Sequence, residues 1–119
     1  MQVFDENGKF LDMFTLGMRS SPYYHIITDD GYLWVSDGGT QRFLKYDLQG
    51  NYLYGWGGPG KGLGQFAGPH QFTVDQEGNL YVAEVFNGRI VKFKPKAGAD
   101  KSKMVGQEVR LKGVEATSR

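Results

Sequence analysis

A chain of 119 residues with 14 basic and 13 acidic side chains, eight Phe, seven Tyr and two Trp is sized for one folded domain and too aromatic to be disordered. Its net charge of +1 offers no basic face for nucleic acid, and the absence of cysteine excludes disulfides and thiolate metal or redox sites. No apolar run approaches the ~18 residues of a membrane span, and Met1 to Asp5 lack the charged and apolar regions of a signal peptide, which leaves open a secreted or periplasmic parent.

Gly and Pro together supply 22 residues, and turn signals punctuate the chain every 8 to 12 residues. Only short aromatic and β-branched runs stand between them, which predicts an all-β fold. In chain order the expected strands are Val3 to Phe4, Phe10 to Phe14, Tyr24 to Thr28, Tyr32 to Ser36, Phe43 to Tyr46, Tyr52 to Trp56, Gln71 to Val74, Leu80 to Ala83 and Ile90 to Phe93, with Val105 to Leu111 as a tenth candidate. The turns Asp5 to Gly8, Asp29 to Gly31, Asp47 to Gly50 and Asp75 to Gly78 each open with an Asp able to cap the turn and end in a Gly suited to positive φ. Loops this short make neighbouring strands antiparallel. Residues 95–119 form a polar tail; with Lys94 they carry seven basic and three acidic side chains, and the expectation is a solvated arm.

A displacement of 47 residues lays Pro22 to Asp47 on Pro69 to Lys94 without a gap. Pro22, Gly31, Leu33, Val35, Arg42 and Lys45 meet their own kind at Pro69, Gly78, Leu80, Val82, Arg89 and Lys92, six identities in 26 positions. Six further pairs keep their chemistry, among them Trp34 with Tyr81, Asp37 with Glu84 and Tyr46 with Phe93. At an offset of 42, Phe4 to Phe10 overlays Tyr46 to Tyr52, so the chain opens partway through a unit. It then holds the end of one unit (residues 1–16), a full unit (22–56) and a partial one (69–94). Four short antiparallel strands repeating at this period describe a β-propeller blade, here about 2.5 of them, with Leu33-Trp34-Val35 and Leu80-Tyr81-Val82 apolar on both faces as stacked sheets require. The rival is an open meander or small barrel of nine or ten strands.

Strand direction places candidate binding residues on one edge. Pro22 with Tyr23, Pro69 with His70, the loops 37–42 and 84–89 and the long connection 57–68 fall together, while the opposite edge has only tight turns. Ligand binding belongs on the long-loop edge, with Tyr23, His25, His70 and Phe86 as candidates, His25 lying two residues beyond Tyr23 on the same strand face. Each histidine can equally be a hydrogen-bonded strand residue. Asp37 with Arg42 and Glu84 with Arg89 repeat an acid and a base five apart, the pattern of an internal ion pair or loop clamp. The Gly57 to Gly64 stretch lacks the Gly-Lys-Ser/Thr ending and the helix of a phosphate loop, and no Gly-x-Ser-x-Gly elbow occurs, so no catalytic residue is assigned.

The third unit, Val74-Asp75-Gln76-Glu77-Gly78-Asn79-Leu80-Tyr81-Val82-Ala83-Glu84 followed by Asn87-Gly88-Arg89-Ile90, resembles the NHL-repeat propeller family. Gly68-Pro69-His70 with Asn87 to Ile90 is similar to blades of peptidyl-hydroxyglycine amidating lyases and of bacterial proteins like them. The resemblance implies a propeller of six blades, incomplete in this chain, serving as a ligand- or protein-binding scaffold. Alternatively it implies the C-terminal part of a zinc-dependent lyase cleaving carbinolamides, with His70 as one of the histidines around the zinc. Gly39 and Phe86 stand where that lyase would place its catalytic tyrosine, and such a chain alone would be inactive. Two and a half blades leave apolar faces bare, so the expected partners are the remaining blades of a longer protein or further copies of the chain.

Overall fold

The computed structural model describes residues 1–110. Its nine strands are β1 (Gln2–Phe4), β2 (Phe10–Met13), β3 (Pro22–Ile27), β4 (Leu33–Asp37), β5 (Arg42–Tyr46), β6 (Tyr52–Gly57), β7 (Pro69–Val74), β8 (Leu80–Glu84) and β9 (Arg89–Phe93), followed by one 3-10 turn at Lys101–Lys103. They form three antiparallel sheets of two, four and three strands, ordered β1-β2, β3-β4-β5-β6 and β7-β8-β9. Among the described residues there is no α-helix, and no helix is long and apolar enough to cross a membrane.

Three of the four connecting turns share one construction. Asp5, Asp47 and Asp75 each accept hydrogen bonds from backbone N–H groups two and four residues on, at 2.8–3.0 Å. Gly8, Gly50 and Gly78 follow at φ 83°, 88° and 84°, a conformation that costs a residue with a Cβ. In the fourth turn the expected Asp29 yields its place to Thr28. Thr28 stands at the repeat position of Asp75, accepts from Gly31 N–H at 2.9 Å and sends its hydroxyl to Asp30 at 2.5 Å.

The four-stranded sheet is covered on both sides, and all five residues of β4 are buried. On one face Ile26, Trp34 and Phe43 meet Phe66 of the 57–68 connection and Phe72, Leu80 and Val82 of the third sheet. Phe43 stacks on Trp56 at 5.0 Å and takes edge contacts from Phe66 at 5.3 Å and Phe72 at 5.0 Å, pairs worth roughly 0.5–1.5 kcal/mol each beyond burial. On the other face Leu33, Val35, Leu44 and Tyr46 pack against Met1, Phe14 and Leu16. Among the described residues the third sheet is covered on one side: Leu80 and Val82 are buried while Tyr81 and Ala83 are half-buried and Ile90 is exposed.

The repeat also writes the contact between sheets. Phe14, near the end of β2, meets Tyr46 at 6.2 Å, and Trp56, 42 residues later, meets Phe93 at 5.3 Å.

Residues 101–109 are not a solvated arm. They cross the tight-turn edge and close the seam between the second and third sheets, because one apolar side chain, Val105, finds the gap at the base of the aromatic core and becomes 5% exposed. Hydrogen bonds hold the crossing: Lys45 Nζ donates to Ser102 O at 2.8 Å, Asp29 N–H to Gln107 O at 2.8 Å and Val109 N–H to Ile27 O at 2.8 Å. The expected tenth strand is reduced to a single bridge between Thr28 and Glu108, and Leu111 and the rest of the tail lie outside the described residues.

Candidate functional site

The long-loop edge is assembled from two bulges. In both β3 and β7 the register slips at the second residue, so Tyr23 and His70 are extra residues that no partner opposes. A bulge re-aims the side chain it carries. Here the two rings meet across the seam between sheets, with centroids 5.2 Å apart and planes at 38°. A methyl group built on Gly38 would fall inside the Tyr23 ring, so glycine at that position is what seats the tyrosine.

The same slip separates His25 from this pair, which corrects its expected placement beside Tyr23. Tyr23 and Tyr24 both turn toward the third sheet, meeting His70 and Phe72, whereas His25 opposes Val35 and lines a groove with Val3 of the first sheet and the flanking Met1 and Phe14. Phe86 is on the long-loop edge: its ring and Val85 lie against Gly68, two residues before His70, and it is 72% exposed.

Glu84 and Arg89 form an ion pair at 2.6 Å. The buried carboxylate also accepts from Ala67 N–H at 3.0 Å and Asn87 Nδ2 at 2.8 Å. Burial pushes the Glu84 pKa up, but the bonds from Arg89, Ala67 and Asn87 outweigh it and hold the carboxyl below the usual range. Arg89 reaches further, donating to Lys61 O at 2.9 Å, and Asn87 to Gly60 O at 3.1 Å, so the long 57–68 connection is tied down by the loop that carries Phe86.

The other acid and base part company. Asp37 accepts from Ser20 Oγ at 2.6 Å, Ser21 N–H at 2.6 Å and the N–H and hydroxyl of Thr40 at 2.8 Å and 2.5 Å, and among the described residues no ion pair joins it to Arg42. Hydroxyls from both flanking loops saturate the carboxylate before the guanidinium reaches it. Arg42 instead lies beside Gly55 of β6.

Gln41 is the residue that sequence reasoning missed. Its φ of 58° is left-handed without glycine's freedom, and Gly88, at the same repeat position, has φ 61°. The strain, of order 1–2 kcal/mol, persists because the side chain spans the seam: Nε2 donates to Gly38 O at 2.8 Å and Oε1 accepts from Gly68 N–H at 2.7 Å. It thereby ties the glycine under Tyr23 to the glycine before Pro69. The overlay of Gln41 on Gly88 was the available signal.

Electrostatically the edge has used up its carboxylates, since Asp37 is 0% and Glu84 2% exposed. What faces outward includes Tyr23, Phe86, Val85, Leu63 and Met18, with the cations Arg19 and Lys61 also exposed. Among the described residues no three His, Asp or Glu side chains gather as a metal ion would require.

No protein-family model matches the sequence. A probable peptidyl-alpha-hydroxyglycine alpha-amidating lyase of Caenorhabditis elegans is 28% identical over 99 residues, which cover 79% of this chain and 28% of the nematode protein. The chain therefore spans little more than a quarter of that relative, which is eukaryotic where the sequence likeness had pointed to bacterial proteins. The antiparallel sheets and this partial likeness agree with a propeller-like all-β chain.

Proposed function

We propose that the chain is a segment of an NHL-type β-propeller, six-bladed when complete, that binds a small ligand or a protein through its long-loop edge. The observation that carries this reading is the Tyr23–His70 pair, two bulged rings 5.2 Å apart on separate sheets, with exposed Phe86 against Gly68, two residues before His70. An exposed aromatic cluster on hydrogen-bonded loops is a rigid docking platform. Phenol as a probe tests it: amide chemical shifts should move around Tyr23, His70 and Phe86. Shifts confined to other surfaces would overturn it.

A second reading rests on the nematode relative, whose name is that of a lyase. Under it the chain is one part of an amidating-lyase-like enzyme and is inactive alone, with His70 as one zinc ligand. The described residues do not by themselves fit a zinc centre, because the His70 ring lies against Tyr23 and no group of three His, Asp or Glu side chains includes it. Metal analysis of the complete propeller, with the blades beyond this segment present, separates the readings. Stoichiometric zinc lost on His70→Ala supports the enzyme, and a metal-free propeller supports the binding scaffold.

A further inference from the structure

The groove that contains His25 lies outside the long-loop edge. It measures about 310 Å³ and is walled by Gln2, Val3 and Phe4 of β1 and floored by His25, Ile27 and Leu33. Among the described residues β1 has one strand neighbour, β2, so its other edge has backbone groups that no described strand pairs, beside this groove. The groove is mostly apolar and partly bare, with Ile27 of the floor 41% and Phe4 of the wall 50% exposed.

The repeat says what such an edge pairs with. β1 overlays β5, and β5 pairs with β4 in the register that β9 uses with β8: Leu33 opposite Tyr46 and Val35 opposite Leu44, then Leu80 opposite Phe93 and Val82 opposite Val91. Both partners read Leu, aromatic, Val, small, acid. From this continuity we infer that the groove receives an extended strand of that chemistry from another polypeptide segment, its Leu opposite Phe4, its aromatic opposite Val3 and its Val opposite Gln2. Backbone pairing supplies affinity, and alternate apolar side chains on Ile27 and Leu33 supply specificity. A second copy of this chain is not the donor, because β4 and β8 already have neighbours on both sides. This inference rests on the propeller-segment reading but not on ligand binding at the long-loop edge, so peptide binding in the groove and phenol binding at that edge can each fail alone.

The test adds a synthetic peptide with the sequence of residues 31–38 to the full chain, and a scrambled peptide in parallel. The expected result is saturable binding by the ordered peptide, about tenfold or more slowing of amide exchange within residues 2–4, and no binding by the scrambled peptide. Ile27→Asp, on the groove floor, should weaken binding at least about tenfold with the circular dichroism spectrum retained, whereas Ile90→Ala, exposed on the third sheet and away from the groove, should leave it unchanged. Blocking alternate peptide N–H groups by methylation should abolish binding without touching the protein. Equal binding of both peptides, unchanged exchange at residues 2–4, or a dimer of the chain occupying the groove would overturn the inference.

Discussion

Glu84 joins three segments at one buried carboxylate, taking bonds from Arg89, Asn87 and Ala67. Removing it with Glu84→Ala leaves those donors without a partner and should cost about 2–3 kcal/mol in urea unfolding, with Glu84→Gln costing less because the shape is kept. Its pKa is depressed in the fold, as are those of Asp47 and Asp75, where bonds from Asn51 and Asn79 dominate. Groups lowered on folding stabilise fully above the unfolded carboxylate range, about pH 4, and lose that contribution as pH falls through the folded values. Thermal midpoints should therefore be flat from neutral pH to about 5 and drop steeply below 4. At Gly38 the added methyl of Gly38→Ala displaces the Tyr23 ring. The ring contact to His70 should vanish from nuclear Overhauser spectra, with the aromatic core around Phe43 unchanged.

At the scale of elements, the turns and strands were readable because Asp–Gly punctuation and short aromatic runs fix their own geometry over a few residues. The crossing segment 101–109 was not, since a stretch so polar carries no periodicity and docks through Val105 and the hydrogen bonds from Lys45, Asp29 and Val109. Val105→Ala should cost about 1.5–3 kcal/mol, a value that a solvated arm would not show. The bulges at Tyr23 and His70 were likewise illegible. A period-2 reading assigns alternating faces, whereas a bulge sends Tyr23 and Tyr24 the same way and carries His25 to the opposite side. The equivalence of the two bulged positions was legible from the repeat, but their contact across the seam required the packing of one sheet on the next.

For the whole molecule, the 47-residue repeat foretold the two larger sheets, of four and, among the described residues, three strands, because a sheet that buries both faces must meet another like it. It did not foretell that the second and third sheets are fastened three times: by the aromatic core around Phe43, by Gln41 reaching Gly68, and by Val105 beneath. The candidate site spans this seam, so Tyr23 and His70 form a pair only while the sheets remain joined. Unfolding by urea, followed together by the fluorescence of Trp34 and Trp56 in the second sheet and by the His70 ring resonances in the third, tests that directly. The account predicts one midpoint for both signals, with Phe72→Ala lowering both equally. Release of the His70 resonances at lower urea, with tryptophan fluorescence still native, would contradict it.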